Sequence, residues 1–274
     1  MSASEKSSVL VSIAPYKYFV ERIAGDTVDV TVLVPPGASS HSFEPSPKQV
    51  DAIAKADIWF RIGEGFEKQL IQVLQGHRPN MQIINLRQGV NMITLDKQHR
   101  CCSEDFEDVH IWLSPREAQI QAQTIANVLS ATYPQHRELF QQNAKTFIRD
   151  LQEVDADLTK KLSKIKGKPV MVSHAAYGYM ARDYGFNQQA VEYEGRDPTG
   201  KQLTNLIQQA RAEGVAVIFV QPQHSSKGAR LIAQYLNARI VELDPYSADY
   251  IENLRHIGDA FSQSQVTPQE SQQP

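Results

Sequence analysis

Three histidines and one aspartate stand out in this 274-residue chain for where they fall rather than for their number. His41 ends the turn Pro35-Pro36-Gly37-Ala38-Ser39-Ser40 that follows a β-branched stretch. His110 sits in Asp108-Val109-His110-Ile111-Trp112-Leu113-Ser114-Pro115, at the close of a long irregular segment and just before a helix. His174 follows the apolar run Val170-Met171-Val172-Ser173, and Asp244 follows Val241-Glu242-Leu243. Neutral imidazole suits zinc, iron, copper and nickel, and a carboxylate adds charge compensation. Four such ligands without a thiolate make a closed site, tetrahedral for zinc or five-coordinate if Asp244 binds through both oxygens. Each half of the chain supplies two of them, so a divalent ion held between the halves is the expected chemistry.

The patterning explains how they would be positioned. Short β-branched strands alternate with amphipathic helices: strands at 9–14, 28–34, 57–62 and 82–86, helices at 16–24, 47–56, 64–74 and 115–131. After residue 166 the alternation restarts, with strands at 170–173, 187–193, 215–220 and 239–243 and helices at 175–184, 199–212, 225–236 and 247–261. Between the two series, Leu139, Phe140, Ala144, Phe147, Ile148, Leu151, Val154, Leu158, Leu162 and Ile165 recur at helical spacing, with no interior Gly or Pro from Pro134 to Ile165. Thirty-two residues would make a rod roughly 48 Å long, stopped by Gly167 and Pro169. The fold class expected is α/β: two similar lobes of about four β-α units each, joined by one long helix, with a ligand cleft between them. The boundaries read as an N-terminal lobe over 8–132, a linker helix over 133–166, a C-terminal lobe over 167–262 and a disordered tail over 263–274. In open α/β sheets ligands sit beyond the carboxyl ends of strands, which is where the four candidate residues lie.

Composition narrows the classes. The chain is 41% hydrophobic and carries 28 basic against 31 acidic residues, a footprint for neither nucleic acid nor an anionic membrane. Two adjacent cysteines, Cys101 and Cys102, make neither a disulfide framework nor a four-thiolate zinc site. No run approaches the roughly 20 apolar residues of a membrane-spanning helix. Met1–Ser8 is polar and lacks the apolar core of a signal peptide.

The motifs together resemble the metal-binding solute receptors of ABC importers for zinc and manganese, over nearly the whole chain from Val9 to Phe261. His41-Ser42-Phe43-Glu44-Pro45-Ser46-Pro47 resembles that family's first ligand loop. The segment around His110 resembles the second, His174-Ala175-Ala176-Tyr177-Gly178-Tyr179 the third, and Leu243-Asp244-Pro245 the fourth. The resemblance implies a rigid linker helix and one ion bound by His41, His110, His174 and Asp244. It also implies an ABC importer permease as partner, a monomer, and a periplasmic or cell-surface location with the signal sequence already removed. Ser40 and Val109 stand where proline is frequent in the family. The segment 87–109 holds only His99 where zinc-type members often carry a His-rich loop. His174, where manganese-type members often place a carboxylate, favours Zn2+ over Mn2+ or Fe2+.

Other candidates read as ordinary. Cys101, Cys102 and His99 are expected to be loop residues. His224, in Gln221-Pro222-Gln223-His224-Ser225, is expected to be a loop histidine near a helix start rather than a fifth ligand. Glu194 and Asp197 suit a helix N-terminus, and His77, His136 and His256 suit helix ends or surface. A zinc hydrolase would need a positioned general base, and nothing in the sequence positions Glu44 or Glu242 for that role. A surface interaction protein with a structural metal is the other alternative.

Overall fold

The computed structural model describes residues 7–94, 107–193 and 195–265. Cys101, Cys102, His99, Glu194 and residues 266–274 of the tail lie outside them. The first sheet is built from β1 (Ser7–Val11), β2 (Val28–Val32), β3 (Ile58–Arg61) and β4 (Gln82–Asn85), in the order β2-β1-β3-β4. The second repeats the plan with β5 (Pro169–Val172), β6 (Asn187–Ala190), β7 (Val217–Val220) and β8 (Arg239–Glu242), in the order β6-β5-β7-β8. All strand pairings within the two sheets are parallel. The cause is visible in the strands: β3 and β7 read Ile-Trp-Phe-Arg and Val-Ile-Phe-Val and are buried almost throughout, whereas β2 at an edge alternates buried and exposed residues.

The helices are α1 (Ala14–Ala24), α2 (Pro47–Ile53), α3 (Gly65–His77), α4 (Pro115–Thr132), α5 (Arg137–Leu162), α6 (Gly178–Tyr184), α7 (Gly200–Ala212), α8 (Lys227–Leu236) and α9 (Tyr250–Ser262). The expected rod is present. Its α-helical part is 26 residues, and 3-10 turns at Pro134–His136 and Ser163–Ile165 extend it to the span read from the sequence. Phe140, Ala144, Phe147, Leu151, Val154, Leu158 and Leu162 form its buried stripe, set against α1, α4 and α9. One continuous apolar core therefore runs from β1 through this stripe to Phe261, with a smaller cluster between β5, β7, α7 and α8.

Several elements are shorter than the patterning suggests, for local reasons. The first strand ends at Val11 because the chain turns at Ile13 into α1, which opens at Ala14 with Pro15 in its first turn; Ser12 keeps its bonds to Phe60 and Val34. Residues 174–177 form a buried loop ahead of α6 rather than its first turn, with the Tyr177 N–H donated to Gln188 Oε1 at 2.6 Å. Chain between strand end and helix start is thereby freed to present His174.

The last helix braces the two halves. Tyr250 donates its hydroxyl hydrogen to the Trp112 carbonyl at 2.5 Å, and its ring lies 4.8 Å from Phe19. Gly258 lets α9 approach α5: a methyl there would meet Leu158 Cδ2 at 2.1 Å. Gly258→Ala is expected to destabilise the fold by about 1–3 kcal/mol through overpacking. Measured by denaturant titration, the double change with Leu158→Ala should cost clearly less than the sum of the single changes.

Candidate metal centre

His41 occupies a 3-10 turn, Ser40–Ser42, at the end of the segment after β2. That segment is tied to the first sheet by Leu33 N–H on the Val11 carbonyl and Val34 N–H on the Ser12 carbonyl, and it turns at Gly37, where φ is +78°. Behind the ring, His41 Nδ1 is 3.0 Å from Glu64 Oε2. Glu64 is buried at the start of α3 and also accepts from Ser40 Oγ at 2.5 Å. Its own backbone is fixed by Glu67, whose carboxylate accepts the N–H groups of Ile62, Gly63 and Glu64 at 3.0, 2.6 and 3.1 Å. Burial pushes the Glu64 carboxyl up, but the charge and hydrogen bond of His41, with Ser40, carry it below the ordinary carboxylate value.

His110 is buried, and Asp108 Oδ1 accepts from both its backbone N–H at 2.9 Å and its Nδ1 at 2.7 Å. Asp108 is held in turn by the second half. Tyr179 of α6 donates to the Asp108 carbonyl at 2.7 Å, and Gly178 lies so close that a methyl there would meet Asp108 Oδ2 at 2.6 Å. His174, just past β5, is buried and makes a short hydrogen bond from Nδ1 to Glu192, just past β6.

The three far nitrogens converge. His174 Nε2 lies 3.0 Å from His41 Nε2 and 3.3 Å from His110 Nε2. Each Nδ1–H is engaged by a carboxylate, so the Nε2 atoms face one another as lone pairs, mutually repulsive unless a cation lies among them. Ligands at 2.0–2.1 Å on a tetrahedral zinc stand about 3.3 Å apart, the spacing seen here. Burial, with His41 and His110 nearby, holds His174 well below the ordinary imidazole value, so it is neutral and ready to donate.

Asp244 stands apart from this group. Its Oδ1 accepts from Gln223 Nε2 at 2.6 Å and from the Tyr246 N–H at 2.8 Å. It lines a cavity of about 200 Å³ with Pro36, Gly37, Ala38 and Tyr246, adjoining the His41 turn. His224 belongs to the site region, against the sequence expectation of an ordinary loop histidine: its ring stacks on His174 at 3.9 Å with an interplanar angle of 9°. The three carboxylates behind the imidazoles were also missed. Asp108 was signalled by its place two residues before His110. Glu64 and Glu192 follow strands β3 and β6, so extending the strand-end criterion from histidines to acids would have found them.

The family profile described as "Zinc-uptake complex component A periplasmic", ZnuA, matches residues 9–264. The chain belongs to the ZnuA family. A candidate metal-binding protein of Chlamydia trachomatis serovar D is 31% identical over 261 residues, covering 94% of this chain and 92% of that one. The crystal structure of ZnuA superposes with a TM-score of 0.88 at 32% identity, covering 95% of this chain and 100% of the other. A zinc-bound ZnuA deletion mutant gives 0.88 at 32% identity, over 98% and 100%. As a ZnuA-family protein the chain is a metal-binding solute receptor of an ABC uptake system, a transport component and not an enzyme, and the ion is its cargo. Among the described residues no helix is long and apolar enough to cross a membrane.

Were the three imidazoles to hold the ion, the carboxylates behind them, by setting their tautomers, would bear on affinity without touching it. Asp108→Ala is expected to weaken metal affinity about 10- to 100-fold, and Gly178→Ala to weaken it in the same direction by displacing Asp108. Competition titration against a chromogenic chelator checks both. Unchanged affinity in Asp108→Ala would show that the orientation of His110 does not depend on it.

Proposed function

We propose that the chain captures zinc through His41, His110 and His174, with Asp244 as fourth ligand, and hands it to the membrane permease of an ABC importer. The observation that carries this reading is the convergence of three Nε2 lone pairs at 3.0 and 3.3 Å, each backed by a carboxylate. For Asp244 to bind, its carboxylate must exchange the Gln223 amide for the ion. An all-imidazole face favours zinc over manganese, which prefers oxygen ligands, and the order of intrinsic affinities points the same way. Ferrous iron and manganese are the alternative cargoes. The zinc held by a ZnuA structure of the same fold supports the choice. The reading carries with it a monomer working in the periplasm or at the cell surface, with the signal sequence removed.

Stripped protein should bind one zinc per chain, more tightly than manganese. His110→Ala should lose most of that affinity, and Asp244→Ala should weaken it less, since three imidazoles remain. Elemental analysis with competitive titration decides; no stoichiometric ion, or binding indifferent to His110→Ala, overturns the assignment.

Protons compete with the ion for the same three nitrogens. His174 is held below its usual value and resists protonation, so affinity should be flat above neutrality and fall steeply only below about pH 6. Titrations between pH 5 and 8 would show it; a flat profile throughout would argue against imidazole ligands.

A further inference from the structure

A second set of ligand atoms lies against the first. His174, Glu192 and His224 each offer one donor within 4.8 Å of the others. His224 is carried by the turn after β7, and β7 lies beside β5, the strand that carries His174. These two loops open at the point where the order of the second sheet reverses, the usual place for a ligand in such sheets. The His224 Nε2 atom is buried and has no hydrogen-bond partner among the described residues. A buried imidazole nitrogen left unpaired costs free energy unless something binds it. The set is also graded in exposure, with the Glu192 side chain 13% exposed and that of His174 1%.

We propose that His224, Glu192 and His174 form a second, outer position for a divalent metal ion, a waystation between solvent and the inner triad. The outer ion would take His174 through Nδ1, replacing the hydrogen bond to Glu192, with Glu192 and His224 as its other ligands. Closing the three donors from within 4.8 Å to the about 3.3 Å of a tetrahedral set requires the His224 ring to leave its stack on His174 and turn a nitrogen toward the ion, a side-chain rotation with the backbone in place. The proton displaced from His174 Nδ1 moves to Nε2, where His41 Nε2, 3.0 Å away, accepts it. When the ion passes to Nε2 the proton returns to Nδ1 and Glu192 accepts it again. No proton is gained or lost overall, and a neutral imidazole holds one ion at a time, so the two positions exclude each other. The exclusion rests on the reading of His174 as an inner ligand; the outer position itself does not.

The first test uses cobalt(II) as probe on the full chain. His41→Ala/His110→Ala, with its fold checked by circular dichroism, should still bind one cobalt weakly, and adding His224→Phe should abolish that binding. Phenylalanine keeps a ring stacked on His174 but removes the donor. No cobalt in the double variant, or equal binding with and without His224→Phe, overturns the proposal. The second test leaves the triad intact: zinc release to excess EDTA, followed by stopped flow, should be several-fold slower in His224→Phe than in the unaltered protein. A residue that only steadied His174 would give faster release, or unchanged release if the stack suffices, and either result rejects the waystation. One tight zinc in the unaltered chain with failure of both tests removes the outer position alone; no tight zinc at all removes the inner assignment.

Discussion

Three nitrogen lone pairs forced toward one point are the constraint on which this molecule depends. Imidazoles left to themselves would turn until a proton lay between them. Here Glu64, Asp108 and Glu192 each engage the opposite ring nitrogen and remove that freedom. The resulting repulsion is a standing cost, offset by the rest of the fold and relieved by a cation. Preorganisation of this kind separates a high-affinity site from three histidines that happen to be near one another.

The carboxylates need their own supports, and these reach across the chain. Glu64 depends on the three N–H groups gathered by Glu67, and Asp108 depends on Tyr179 and on the missing side chain of Gly178 in the second half. Because α5 and α9 bind both halves into one apolar core, the geometry of the triad is set by the whole molecule. A hinge that swung freely would dissolve the tautomer control along with the distance control.

Much of this was legible in the residues. The β-branched runs and the stripe from Phe140 to Leu162 gave the two sheets and the rod, since period and length are properties of local sequence. His41, His110 and His174, which the structure brings together, stand out in the sequence because they follow strands or precede a helix in an α/β alternation. His224 was passed over despite having the same placement after β7, because stacking on His174 is a tertiary fact with no local signature. The same holds for Asp244: its position after β8 is plain in the sequence, but its engagement by Gln223 depends on how two loops meet. Boundaries shifted by three residues where the chain turned earlier or later than the pattern implied: the first strand ends at Val11 instead of residue 14, and α6 starts at Gly178 instead of residue 175, which leaves the loop that presents His174.

Trp112 adds a property of a different kind. The chain has two tryptophans, and Trp59 is sealed within β3. The Trp112 indole lies 5.3 Å from the His110 ring and 5.4 Å from Tyr246, with its N–H on the Pro245 carbonyl. It therefore bridges the second histidine loop and the loop that carries Asp244. Any change in charge on the first or in position of the second alters the surroundings of a single fluorophore. Were the ion held by these two loops as proposed, Trp112 emission would report its arrival without a label, from a position set by the same contacts that close the halves together.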